Sequence, residues 1–123
     1  MGGTTESGIE SRIVQVMDPH VEIVLRQANE MKHRQEYEKA ISIYDQVLEL
    51  DSRNARGLHS KGNVLDILGR HEEAIVCYES ALEYDPLNAE TWYNRGVTLT
   101  KMGSSQEGNE CIQRGISMST GAE

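Results

Sequence analysis

The sequence predicts an all-α fold built from three consecutive pairs of antiparallel helices. Three observations carry that expectation. The chain repeats itself at an offset of 34 residues without insertion. Within each repeat, apolar residues recur at intervals of three and four, and glycine, asparagine and proline punctuate the places where such helices must stop and start.

Sliding the chain by 34 residues places Ala40-Ile41 over Ala74-Ile75, Tyr44 over Tyr78, Leu48-Glu49 over Leu82-Glu83, Asp51 over Asp85 and Asn54 over Asn88. The same shift places Asn29 over Asn63, Leu58 over Trp92, Gly62 over Gly96, Leu65 over Leu99, Gly69 over Gly103 and Cys77 over Cys111. The units fall at residues 21–54, 55–88 and 89–118, with flanking segments 1–20 and 119–123. Segment 1–20 reads either as a free tail, rich in Gly, Ser and Thr at its start, or as a short capping helix over Ile9 to Met17. Asp18-Pro19 is similar to the later Asp85-Pro86 junction but lies one residue out of the repeat. The last five residues, 119–123, read as a tail.

In the first unit, Tyr37, Ala40, Tyr44 and Leu48 give the second helix its apolar stripe, and Ala28 holds the place of the later Gly62 and Gly96. In the second unit, Leu58, Gly62, Leu65 and Leu68 share one side of a first helix, and Gly69 supplies a stop because it takes left-handed backbone angles freely. Ala74, Ile75, Tyr78, Ala81 and Leu82 form the stripe of its partner. Asn54 and Asn88 precede the first helices of units two and three, where a short amide can accept a bond from an unpaired backbone N–H. The third unit departs from the pattern in its second helix. Gly108 and Gly115 replace small or apolar residues there, and Asn109 stands where Ile41 and Ile75 stood. Two glycines are expected to weaken that helix by about 1 kcal/mol each, making it either the polar end of a stack or a labile edge ordered by a partner or a second copy.

Composition limits the function. The chain has 123 residues, enough for one domain, with 37% hydrophobic and 26% charged residues and a net charge of -8. Such an acidic field disfavours nucleic acid and anionic membrane at long range. With neither an apolar run long enough to cross a bilayer nor a secretory signal, and with two cysteines, a cytoplasmic setting without membrane insertion is expected. Cys77 and Cys111 stand alone in their helices, His20, His33, His59 and His71 form no compact ligand pattern, and no phosphate loop is present. The expectation is a non-enzyme without cofactor or metal.

The second unit, with Leu58, Gly62, Leu65, Gly69, Ala74, Tyr78, Ala81 and Pro86, resembles the tetratricopeptide repeat family, as does the third with Trp92, Gly96, Leu99 and Gly103. The resemblance implies an α-solenoid, a right-handed superhelical stack of helix pairs. Its first helices would line a concave surface that holds an extended peptide or a partner's helix. Residues of those helices outside the apolar stripe include Glu22, Leu25, Arg26, Lys32, Ser60, Asp66, Glu90 and Thr100. From the full set, Asn29, Arg56, His59, Asn63, Tyr93, Asn94, Val97 and Lys101 are the peptide-groove candidates. The asparagines can donate and accept, which suits a peptide backbone.

Some members of the family hold a chaperone's C-terminal carboxylate in a clamp of cations and asparagines. Here that clamp would need Lys at Leu25 and Glu90, Asn at Ser60 and Arg at Asn94; only Asn29 agrees. Two classes of function follow. In the first, an adaptor binds a protein or peptide in the groove. In the second, a scaffold self-associates as a homo-oligomer or completes a larger assembly through its terminal helix, with Cys111, Ile112, Ile116 and Met118 as the end interface.

Overall fold

The computed structural model describes residues 18–121. The expected tail or cap therefore lies outside the described residues over positions 1–17, as do positions 122–123. Among the described residues six helices follow one another: α1 (Pro19–His33), α2 (Tyr37–Leu50), α3 (Ala55–Ile67), α4 (His71–Tyr84), α5 (Ala89–Lys101) and α6 (Ser105–Thr120). They pack as the pairs α1–α2, α3–α4 and α5–α6, and each pair stacks on the next through α2–α3 and α4–α5. The result is the all-α stack of helix pairs expected from the repeat. Helix α1 begins two residues ahead of the first unit, and α6 continues to Thr120, into the segment read as a tail.

The first helix of every pair is capped by a short acceptor. Asp18 Oδ1 accepts from His20 N at 3.0 Å, Asn54 Oδ1 from Gly57 N at 2.8 Å and Asn88 Oδ1 from Thr91 N at 3.0 Å. Each such cap contributes about 1 kcal/mol. The second helices have no side-chain cap and begin instead from a shared turn. In that turn the N–H groups of Glu36, Arg70 and Ser104 reach back to the carbonyls of Met31, Leu65 and Leu99, each at 2.9 Å. The residue before each of them has positive φ: Gln35 at 62°, Gly69 at 79° and Gly103 at 92°. Glycine at the two later turns was expected; that the first turn makes the same geometry with glutamine was hidden, because Gln35 carries no stop signal.

The core runs through the stack. Tyr44, Tyr78, Leu25, Leu65, Val47 and Val64 are its large, fully buried side chains, with Ala28, Ala40 and Ala74 sealed between helices. Leu25, expected on the concave face, belongs to this core at 1% exposure; the first-helix stripe is one residue wider than its spacing implied. Within the first two pairs a tyrosine hydroxyl crosses from the second helix to an asparagine on the first. Tyr44 Oη donates to Asn29 Oδ1 and Tyr78 Oη to Asn63 Oδ1, both at 2.6 Å. Burial pushes the Tyr44 hydroxyl up to about 12 and raises that of Tyr78, so both remain donors. In the third pair Val97 and Ile112 occupy the two equivalent places, so acceptor and donor are replaced together by an apolar couple.

Small residues set how closely each pair packs. A Cβ added at Gly62 would fall 2.7 Å from Cε1 of Tyr78, and one at Gly96 would fall 2.5 Å from the Gly108 carbonyl oxygen. The third pair answers with glycines on both helices. A Cβ at Gly108 would meet Thr100 Oγ1 and lie 2.7 Å from Gly96 O, and one at Gly115 would lie 2.7 Å from Ala89 O. This corrects the expectation that Gly108 and Gly115 simply loosen the helix. They let α6 lie directly on the backbone of α5, so the loss in helix propensity is offset by contact.

Ion pairs also recur with the repeat. Lys61 on α3 pairs with Asp45 on α2 at 2.7 Å, and Arg95 on α5 pairs with Glu79 on α4 at 3.0 Å, one repeat later. Arg56 joins α3 to α1 by pairing with Glu22 at 2.8 Å. These partly exposed pairs fix register more than they stabilise.

Two stability changes test this account. Gln35→Gly is expected to stabilise the chain by about 1 kcal/mol by relieving left-handed backbone strain, shifting the urea midpoint upward at constant slope. Gly108→Ala should do the opposite. Propensity alone would gain about 1 kcal/mol, but the collision with backbone and Thr100 reverses the sign, for a net loss of about 1–2 kcal/mol. A more stable Gly108→Ala variant would refute the close α5–α6 crossing.

Candidate functional site

The first helices of the three pairs lie side by side and leave a groove of about 370 Å³, lined by Lys32 of α1, Asn63, Asp66 and Ile67 of α3, and Asn94 and Val97 of α5. Tyr37 and Tyr78 contribute from the second helices. Asn63, Asn94 and Val97 among the expected groove residues thus line one cavity. Asn29 is drawn toward Tyr44, Arg56 is engaged by Glu22, and Lys101 extends from the rim to Asp66. Tyr93 is 45% exposed and lines a different recess, at the end of the stack.

A chain of hydrogen bonds crosses the floor of the groove. His59 Nδ1 lies 2.7 Å from Thr91 Oγ1, and His59 Nε2 lies 3.2 Å from Asn63 Nδ2. The oxygen of Asn63 accepts from both Tyr78 Oη and, at 3.1 Å, Asn94 Nδ2. Because Asn63 donates through Nδ2, Nε2 of His59 acts as acceptor and Nδ1 carries the proton. Burial lowers the His59 pKa, partly opposed by Glu90, whose carboxylate lies 3.6 Å away. Asn63 is thereby committed to holding α3, α4 and α5 together. Asn94 keeps its amide oxygen without a partner among the described residues, and Lys32 forms no ion pair among them.

Beside this chain Asp66 joins the second and third pairs. It accepts from His71 Nδ1 at 2.8 Å, Thr98 Oγ1 at 2.9 Å and Lys101 Nζ at 2.7 Å, while its side chain is only 14% exposed. Burial works to raise its pKa, but the bonds from Lys101, Thr98 and His71 outweigh it, and the net shift is downward. Thr91 and Thr98, each 1% exposed, are polar residues hidden among apolar neighbours. Their partners His59 and Asp66 lie in the preceding unit, a coupling that a search for apolar spacing does not expose. Arg95 was missed for a related reason. It sits 14% exposed between Glu79 and Glu107 with Nη1 2.8 Å from the sulfur of Cys111, and only its correspondence with Lys61 hints at the role.

The expected end interface separates into two parts. Cys111 is buried beneath Arg95, burial raising its thiol pKa against the opposing pull of that guanidinium, and Ile112 packs where Gly96 leaves room. Ile116 is 42% exposed and Met118 is partly exposed. Among the described residues no group of three or more His, Cys, Asp or Glu side chains could hold a metal ion, and no helix is long and apolar enough to cross a membrane.

The Asp66 cluster yields a pH-dependent test. Its lowered pKa stabilises the fold above the unfolded carboxylate value of about 3.9, and that contribution disappears as pH falls through the native value. Asp66→Ala should cost about 2–3 kcal/mol at neutral pH. In urea titrations the difference between the two proteins should shrink as the medium is acidified; a difference constant from neutral pH to pH 2 would contradict the assignment.

Comparison with known proteins agrees with this architecture. Residues 62–103 match the family model described as TPR repeat, and residues 89–120 match that described as Tetratricopeptide repeat. A comparison with curated protein sequences returns no match. Among solved structures, the Sgt2 TPR domain from Aspergillus fumigatus is 26% identical, with 84% of this chain and 68% of that one covered at a TM-score of 0.80. The second TPR of Spaghetti (RPAP3), solved bound to the HSP90 peptide SRMEEVD, is 19% identical, with 80% and 91% covered at 0.77. MamA is 19% identical at 0.78, with 83% of this chain covered and 60% of MamA, so this chain spans less than two thirds of that protein. The two family matches, the recurrence of caps, turns and tyrosine–asparagine pairs at one repeat length, and the likeness of fold agree: the chain belongs to the tetratricopeptide repeat family.

Proposed function

We propose that the protein is an adaptor that holds an extended peptide segment of a partner in the groove along α1, α3 and α5. The observation that carries this reading is the groove's mixture of committed and uncommitted groups. Both acceptor sites of the Asn63 oxygen and most of those of Asp66 are taken, while Asn94 offers an amide oxygen and Lys32 a cation without an ion-pair partner among the described residues, beside the apolar sides of Val97, Ile67 and Tyr37. A peptide N–H would bond Asn94, an acidic group on the peptide would meet Lys32, and an apolar side chain would rest between Ile67 and Val97.

Charge supports the same face. The second helices carry Glu38, Asp45 and Glu49, then Glu72, Glu73, Glu79 and Glu83, then Glu107 and Glu110. Much of the net charge of -8 therefore lies away from the groove. The Spaghetti domain gives a precedent for a peptide held on this fold. Its carboxylate-bearing ligand does not transfer directly: Leu25 is buried here, and Glu90 holds a place where a clamp would need a cation.

Selection of binders from a displayed peptide library against the full chain, followed by titration, tests the proposal. Lys32→Ala and Asn94→Ala should each weaken selected peptides by about three- to tenfold, one lost hydrogen bond or ion pair apiece. Val76→Ala, on the outer side of α4, should leave affinity unchanged. Peptides indifferent to both groove substitutions would sink the reading.

A further inference from the structure

Among the described residues, the two ends of the stack carry the two unmatched halves of one interface. Each internal junction inserts a residue from the start of a first helix into the preceding pair. Gly57 is the inserted residue at the first junction, where a Cβ on it would lie 3.2 Å from Val47 and 3.7 Å from Leu48. One repeat later Thr91 is inserted. It is 1% exposed and bonded to His59, with Ala81 and Leu82 at the places of Val47 and Leu48. One repeat earlier the equivalent residue is Ile23 on α1, and it is 49% exposed.

At the opposite end, the residues equivalent to the receiving side are Tyr93, Gly115 and Ile116. They line an apolar recess of about 430 Å³ together with Ala89, Glu90 and Ser119. Tyr93 is 45% exposed and Ile116 42%, whereas their internal counterparts are covered: the His59 side chain is 12% exposed and Leu82 is 9%. Among the described residues no helix follows α6 to cover Tyr93 and Ile116.

We infer that a second copy of this chain fills that recess, stacking head to tail so that Ile23 of one copy enters between Tyr93, Gly115 and Ile116 of the other. Continuity with the internal interface selects this occupant, and so does size. Along the three receiving positions the residue shrinks from Val47 to Ala81 to Gly115, while the residue inserted opposite grows from Gly57 to Thr91 to Ile23. The largest inserted residue thus faces the recess of about 430 Å³ beside Gly115, the space of whose missing side chain is itself taken by the backbone of α5. The lateral ion pairs continue as a neutral pair, Gln27 against Gln113, at the places of Lys61–Asp45 and Arg95–Glu79.

Charge opposes the contact. Glu22 of one copy stands opposite Glu90 of the other, where the internal junction pairs Arg56 with Glu22, and each copy carries -8. Association is therefore concentration-dependent and strengthened by salt. A head-to-tail contact of this kind does not close on two copies.

Sedimentation velocity of the full chain, over rising concentration at low and high salt, tests the inference. The weight-average mass should climb from 13.8 kDa without a plateau at the dimer, and climb further in high salt. Ile23→Asp removes the inserted residue and Ile116→Asp the receiver; both positions are exposed, so helicity by circular dichroism should be retained. Each variant alone should stay monomeric. An equimolar mixture should form a one-to-one dimer that grows no further, because one intact face survives on each variant. A wild-type chain that stays monomeric throughout, or a mixture of variants that does, overturns the inference. So does association lost in Ile116→Asp but kept in Ile23→Asp, which would mean symmetric tail-to-tail pairing.

Discussion

The close crossing of two helices at one small residue per pair governs the rest of the molecule. Ala28, Gly62 and Gly96 occupy that crossing, and the space left by Gly62 is taken by the ring of Tyr78. Because the ring lies against the first helix at this point, its hydroxyl can reach Asn63 on the same helix. Asn63 in turn carries Asn94 of the next pair and meets His59. A residue wider than alanine at the crossing would move the ring and hence the groove floor. The backbone distance within a pair thus sets the geometry of the surface between pairs.

The fold was legible because the features that specify it are local or periodic. Asn54 and Asn88 announce helix starts, Gly69 and Gly103 announce stops, and the repeat multiplies each signal until chance is a poor account of it. What escaped notice depended on volume or on partners one repeat away. Glycines 108 and 115 read as weakness along the chain, yet in space they are contact points, because propensity is a property of one helix and packing a property of two. Leu25 looked available by spacing and proved buried, since the apolar face of a helix gripped by neighbours is wider than a single stripe.

The groove was legible only in part, for a chemical reason. Sequence shows that an asparagine can donate and accept, but it does not show which of its bonds are already taken. Asn63 and Asn94 read alike; the oxygen of the first already accepts two bonds, whereas that of the second accepts none among the described residues. Lys101 and Lys32 differ in the same way, one bound to Asp66 and the other without a carboxylate among the described residues. A hydrogen-bonded floor beneath a few open groups is what the proposed function calls for, since a peptide would then bind without first breaking internal bonds.

A repeat also blurs the difference between interior and surface. Thr91 is core because His59 and its neighbours stand in front of it, while Ile23, at the same place in its unit, is surface because nothing described precedes α1. The burial of a residue type in this chain is therefore decided by its position in the stack as much as by its chemistry. Terminal positions in such an array are free to become polar, which ends the stack, or to remain apolar, which leaves it open. Asn109 follows the first course on α6, whereas Ile116, Tyr93 and Ile23 follow the second. Carboxylates at Glu22 and Glu90 then act as a counterweight at the same ends, holding an apolar contact below the strength at which copies would join indiscriminately.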